Sequence, residues 1–149
     1  MPEKKTIARA RKAKRQGKAP STQAGEFVRE EIDHVREGKH GARNTKQAIA
    51  IGLSKARRSG VKVAAPKKGT SSEGTRKRAK RDGAKGRRAE TARKSPTRAR
   101  AATRALKREG RVAASPRALS RQTRASAQRR KKRSSTTPRR KQREAAQGE

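Results

Sequence analysis

Between Ser21 and Gly38, apolar residues return every three or four positions, so that Phe27, Val28, Ile32 and Val35 share one face of the segment STQAGEFVREEIDHVREG. That period predicts an amphipathic helix, with Ser21 or Thr22 capping its first amides and Gly38 ending it. A second stripe, Ala48, Ile49, Gly52, Leu53 and Ala56, runs through TKQAIAIGLSKARRSG. Asn44 or Thr45 supplies its cap and Gly60 its stop. The turn GKHGARN between the two stripes makes a helical hairpin the expected unit, with Phe27, Val28, Ile32, Val35, Ile49 and Leu53 as its core. Gly52 costs roughly 1 kcal/mol relative to Ala inside a helix. Either a close approach to the helix carrying Phe27 explains it, or the second helix is marginal there.

Upstream, the run from Pro2 to Gly17 suits a third helix, with Pro2 near the first turn and Gly17 as the stop. Its apolar face is thin, with Ile7 the one large aliphatic and Ala10 and Ala13 at later turns. A docked helix and a fraying basic arm are both compatible with that pattern. Beyond Gly60 the periodicity stops. VKVAAPKKGT, with Pro66 and Gly69, reads as a linker, and from Thr70 to Lys94 the glycines Gly74, Gly83 and Gly86 are mixed with Arg and Lys. No stable fold is expected there.

Further on, Ser95-Pro96, Ser115-Pro116 and Thr137-Pro138 recur about every twenty residues, each opening a run of Ala, Arg and polar residues. Ser or Thr at a cap followed by Pro at the first helical position is a start signal, because Pro lacks an amide that would be orphaned there. Gly110 and Gly148 can close two of the three runs. Like-charge repulsion holds such helices apart until phosphates neutralise them; a wholly disordered tail is the other reading of the same composition. The expected fold class is thus small all-α, a helical hairpin or three-helix N-terminal module over residues 1–60. A flexible basic linker, 61–94, and a largely disordered, conditionally helical basic tail, 95–149, follow.

Charge then decides what such a chain is for. In 149 residues there are 47 Lys plus Arg against 12 Asp plus Glu, a formal net charge of +35. A compact state repels itself at that charge unless a polyanion neutralises it, and nucleic acid is the commonest polyanion. Residues 1–60 hold 16 basic and 6 acidic groups; the remainder holds 31 and 6, a net +25. With 27% hydrophobic and 1% aromatic residues a large core is excluded. The absence of cysteine fits a reducing compartment. The basic N-terminus lacks an apolar core of the signal-peptide kind, and no stretch reaches the roughly 18 apolar residues of a membrane span. A soluble cytoplasmic protein is expected.

Catalytic chemistry finds little support. Glu26, Glu30, Glu31, Asp33 and Glu37 fall on the helix of Phe27; they are expected on its solvent side, paired with Arg29, Arg36 and basic neighbours rather than tuned for acid–base work. No glycine-rich phosphate loop of either common type occurs. Ser54 and the other hydroxyls have no base-and-orienter pair. His34 and His40, the two histidines, are expected at a polar surface without a third ligand, so no metal and no cofactor are expected. The chain is not expected to be an enzyme.

With one Phe, no Tyr and no Trp, the composition argues against single-strand readers that bind by base stacking. What is left is phosphate contact by Arg76, Lys77, Arg78, Lys80, Arg81, Arg87, Arg88, Arg98, Arg100, Arg104, Lys107, Arg108, Arg129, Arg130, Lys131, Lys132, Arg133, Arg139 and Arg140. Repeated tail cassettes suit a long uniform polyanion, which favours DNA; an RNA- or ribosome-associated role is the alternative. A membrane partner is not expected, since beyond Leu106 and Leu119 the tail runs offer mainly alanines for an apolar face. A two-helix core of this size is marginal alone, and a homodimer through the N-terminal helices would enlarge it.

Two resemblances add to this. Ser95-Pro96-Thr97-Arg98 and Thr137-Pro138-Arg139-Arg140 match the Ser/Thr-Pro-x-Lys/Arg unit, and Ser115-Pro116-Arg117-Ala118 matches it except at the last position. The tail in this respect resembles those of linker-histone-like proteins, eukaryotic and bacterial, which implies a histone-like, nucleoid-associated role in DNA compaction. Separately, GEFVREEIDHVREGKH followed by NTKQAIAIGLSKAR is similar to a small bacterial domain of unknown function with a KQAIAIxLS signature. That resemblance covers about a quarter of the chain, residues 25–58, and implies a bacterial source.

Overall fold

The computed structural model describes residues 2–87 and 95–136. Among them lie six α-helices, a short 3₁₀ turn and no strand. They fall into two units, Met1–Ala114 and Ser115–Glu149. Residues 88–94 and 137–149, with Arg88, Arg139, Arg140, Thr137-Pro138 and Gly148, lie outside the described residues.

The first unit begins with α1, Lys4–Arg15, α2, Pro20–Arg36, and α3, Thr45–Arg58. Helix α2 packs on both α1 and α3, so the three-helix form of the expected module is the one adopted. Gly17, Gly38 and Gly60 each take left-handed backbone just past a helix end, as the stop signals require. Asn44 caps α3, its side-chain oxygen accepting from the Gln47 amide at 2.9 Å. The start of α2 differs from expectation. Neither Ser21 nor Thr22 caps it, because Pro20 occupies the first helical position and moves the start upstream; the Ala19 carbonyl accepts from the Thr22 and Gln23 amides.

The α2–α3 contact is built from small residues. Ala48, Gly52 and Ala56 are the buried stripe of α3. A Cβ placed on Gly52 would sit 2.6 Å from the Val28 Cα, a backbone atom that cannot step aside. Close approach, rather than a marginal helix, is therefore the reason for glycine here. On α2 the buried positions are Gln23, Ala24, Phe27, Glu30, Glu31 and Val35, a stripe rotated by about one residue from the apolar one. Val28 and Ile32 are half-buried beside it, Ile32 packing on the core, and Ile49 is half-buried on α3.

Two apolar clusters result. One holds Phe27 with Ala10, Ala24 and Ala56, flanked by Ile7, Leu53, Val61 and Val63. The other holds Val35 with Ala42, Ala48, Ala113 and Ala114, flanked by Ile32. Ile7 and Ala10 thus dock α1, which settles the choice between a docked helix and a fraying arm in favour of docking.

Two further segments join this unit beyond residue 60. Helix α4, Glu73–Arg87, packs on α3 where composition alone predicts a flexible linker. Its anchor is Asp82, nearly buried, which accepts from Ser54 Oγ at 2.7 Å and from Arg58 Nε at 2.8 Å. A Cβ on Gly86 would overlap the Arg57 carbonyl oxygen, so the helix lies flush with the end of α3. The 3₁₀ turn Val112–Ala114 packs on α2 and α3. There the Ala113 carbonyl accepts from Thr45 Oγ1 at 2.7 Å and the Ala114 carbonyl from Arg36 Nε at 3.0 Å. Helix α5, Pro96–Lys107, precedes it and has no buried residue. Its Leu106 carbonyl accepts from the Gly41 amide at 2.9 Å.

Asp82→Ala is expected to cost about 1–2 kcal/mol, the range for hydrogen bonds to a charged group discounted because Arg58 is half exposed. Amide hydrogen exchange should show α4 opening before α2 and α3 in that variant; unchanged protection of α4 would refute the anchor.

The second unit is described by α6, Pro116–Thr136. Ser115 Oγ accepts from the Ala118 amide at 3.2 Å, and Ser95 Oγ accepts from the Arg98 amide at 3.5 Å before α5. Both described Ser-Pro pairs therefore start helices in the expected way. Among the described residues no helix is long and apolar enough to cross a membrane.

Candidate functional site

Basic residues cannot be buried in number, so helices rich in them and poor in apolar residues remain at the surface. On α4 only Ala79 and Asp82 are buried; Lys77, Arg78, Lys80, Arg81 and Arg87 are exposed and Arg76 is half-buried. Glu73 partners two of them, Arg76 at 3.6 Å and Lys77 at 3.7 Å. On α5, Arg98, Arg100 and Arg104 are exposed, as are Lys107 and the capping Arg108. On α6, Arg129, Arg130, Lys131 and Lys132 are exposed, and Arg133 lies in the same helix. Neither α5 nor α6 contains an Asp or Glu. Within each of these helices, then, the basic residues singled out from the sequence come together on one short rod.

One cation departs from that pattern. Arg57 is buried, donating from Nε to the Val63 carbonyl at 3.2 Å and from Nη2 to the Ala64 carbonyl at 3.1 Å. Burial holds its guanidinium below the ordinary value, with Asp82 opposing. It is a structural cation that fastens the chain after α3 and is withdrawn from any ligand.

The acids are not where the sequence places them. Glu26, Asp33 and Glu37 do face outward in part, Asp33 pairing with Arg36 at 3.9 Å. Glu30 and Glu31, by contrast, are buried side by side. Glu31 Oε1 lies 3.0 Å from His40 Nε2, and Oε2 lies 2.5 Å from Lys55 Nζ. That second contact is close but poorly aligned, so Oε2 counts as an ion-pair partner without a hydrogen bond. Glu30 Oε1 stands 3.6 Å from the same ammonium and accepts from the Glu3 amide at 3.3 Å. The correction has a physical cause: Lys55, reaching across from α3, compensates two carboxylates that would otherwise have to face water.

His34 and His40 are likewise drawn inward, their side chains 13% and 14% exposed, with ring centroids 6.0 Å apart in an edge-on arrangement. His34 Nε2 meets Glu3 Oε1 at 3.0 Å and lies 4.0 Å from Glu30 Oε1. Hydrogen bonding to His34, and then Lys39, holds the Glu3 carboxyl below its usual range. Glu37 and then Glu3 hold the Lys39 ammonium above its ordinary value against some desolvation. Sequence reasoning missed this cluster; the signal present was Glu31-x-x-His34, whose spacing of three puts both groups on one helix face, with His40 just past the helix end.

Residues 3–69 match the model of a family of unknown function, DUF6496. The match spans α1 to α3 and the segment after α3, and leaves α4, α5 and α6 outside it. No curated protein matches the chain, and no solved structure does.

Proposed function

We propose that this chain is a non-sequence-specific, histone-like DNA-binding and compacting protein that acts by neutralising phosphates, associated with the nucleoid in the cytoplasm. The observation that carries the reading is the composition of α5 and α6: basic residues in every turn or two, no acid and no buried apolar face in α5. Helices draw most of their stability from packing an apolar stripe. Rods that have cations in its place gain it from a polyanion, which makes their helicity conditional on phosphates. The module of α1–α3 then serves as a folded platform, or as a dimer unit, while α4, α5, α6 and the residues after Thr136 supply the phosphate contacts.

Ten phosphate contacts would give a log-log salt slope of about −9, and affinity for duplex DNA should fall about 10⁵-fold between 50 and 200 mM salt. Deleting residues 115–149, the second unit, removes 12 of the 47 basic residues, leaves Ala113 and Ala114 in the core of the first, and should flatten that slope by several units. Fluorescence anisotropy on unrelated duplexes reads both. An unchanged affinity and slope after the deletion would refute the assignment, and so would discrimination above about a thousandfold between duplexes. Stronger retention of structured RNA than of DNA in the same titration would transfer the reading to a ribosome-associated role.

A further inference from the structure

In the cluster around His40 one ring nitrogen has a backbone partner and the other faces a carboxylate. Nδ1 lies 3.0 Å from the Gly41 carbonyl, within hydrogen-bonding distance, and Nε2 lies 3.0 Å from Glu31 Oε1 in an ion-pair contact that is not aligned as a hydrogen bond. With Nδ1–H donating to the carbonyl, the Nε2 lone pair stands beside the carboxylate, two electron-pair donors side by side. That is the arrangement usual for metal-bound histidine, in which the far ring nitrogen donates to a backbone carbonyl and so fixes the ring and its tautomer.

The surrounding groups agree. Glu31, His34 and His40 each offer one ligand atom, all within 4.8 Å of one another. Zinc–nitrogen and zinc–oxygen bonds of about 2.0–2.2 Å place tetrahedral donors roughly 3.3 Å apart. The His40–Glu31 pair at 3.0 Å already meets that spacing, and His34 needs a small side-chain adjustment. Glu3 Oε1, 3.0 Å from His34 Nε2, lies outside that 4.8 Å group and would swing in as a fourth donor from the residue preceding α1. Charge points the same way. Glu3, Glu30, Glu31 and Glu37 face Lys39 and Lys55 across the cluster, which leaves a net charge of −2 when both rings are neutral. In a chain of net charge +35 this is a locally anionic spot, buried at Glu30 and Glu31 and open to solvent at Glu3, Glu37 and Lys39. Lys55 engages Glu31 through Oε2 and leaves Oε1 to the ligand side.

We propose that Glu31, His34 and His40, with Glu3 completing the set, bind one divalent cation of the borderline class that zinc represents. Two nitrogens and two carboxylate oxygens suit such an ion better than magnesium or calcium, which take oxygen donors. Bound there, the ion ties the start of α1 to α2 and to the turn before α3, so its role is structural. The site is independent of the phosphate-binding residues, and either proposal can fail alone.

The chain has two histidines and no cysteine, which makes the test clean. One equivalent of zinc chloride, added to the full chain, should shift the imidazole proton resonances of both histidines, whereas the same amount of magnesium should not. By calorimetry, His40→Gln and His34→Gln should each weaken zinc binding by at least about tenfold, the lower end of what even outer-shell changes cause. Glu73→Gln, on α4, should bind as the unaltered chain does. Imidazole signals unmoved by zinc, or zinc binding that survives both histidine changes, would overturn the site. If either variant loses its helical circular dichroism, the resonances of the unaltered chain decide alone.

Discussion

Phe27→Ala is expected to cost the Met1–Ala114 unit about 3–5 kcal/mol and to lower its thermal midpoint by more than about 10 °C. The size of the effect follows from what surrounds the ring. Phe27 is 1% exposed, and the buried residues touching it, Ala10, Ala24 and Ala56, are all alanines. Those neighbours cannot swing into the space a ring leaves, so any collapse of the cavity falls to the flanking Ile7, Leu53, Val61 and Val63. Domains of ordinary size are stable by about 5–15 kcal/mol, and a core that consists mostly of methyl groups belongs at the low end of that range. Circular dichroism at the helical band, followed through a melt, gives the result directly. A loss below about 1 kcal/mol would mean that the Phe27 cluster does not hold α1, α2 and α3 together.

Why this core could be read from the sequence, and the rest only in part, comes down to the range of the interactions. Phe27, Val35, Leu53 and the glycine stops declare themselves through spacings of a few residues, and Asn44 caps α3 by a bond to a residue three positions on. Such local signals locate three helices. Gly52 was also interpretable, because glycine inside a helix is costly unless a backbone lies close, and the Val28 Cα does. Helix α4 gives no such sign. Arg, Lys and Gly dominate it, and what holds it is one carboxylate, Asp82, satisfied by Ser54 and Arg58 more than twenty residues away.

The same reasoning accounts for Glu30 and Glu31. A carboxylate on a helix is ordinarily assigned to the solvent side, and that assignment fails only when a counter-charge arrives from elsewhere in the chain. Lys55 is such a charge, and nothing in the α2 segment announces it. The 3₁₀ turn at Val112–Ala114 is an intermediate case. Val112-Ala113-Ala114 is a short apolar run in a basic region, but nothing in it points to Val35, Ala42 and Ala48, and its fit beside them depends on Thr45 and Arg36 donating to its carbonyls. The candidate metal ligands had a partial signal in Glu31-x-x-His34, while the approach of His40 and Glu3 depends on the turn after α2 and on the docking of α1.

Lys55→Met should destabilise the unit by about 3–5 kcal/mol, as removal of one partner from a buried ion pair does. Among the described residues its ammonium is the one cation facing both Glu30 and Glu31 at less than 4 Å, and the two carboxylates are 3% and 1% exposed. Without it Glu30 retains the Glu3 amide and Glu31 retains His40. Those contacts leave two like charges adjacent and out of water. Methionine matches the length of the lysine stem, so the loss measures charge rather than packing. Adding Glu31→Gln to Lys55→Met should recover most of the stability, because the amide can donate to His40 Nε2 and removes the uncompensated charge. Urea titration of the single and double variants gives the coupling. If the double variant were no more stable than Lys55→Met alone, the lysine would be acting through its stem, and the buried charges would be compensated from another direction.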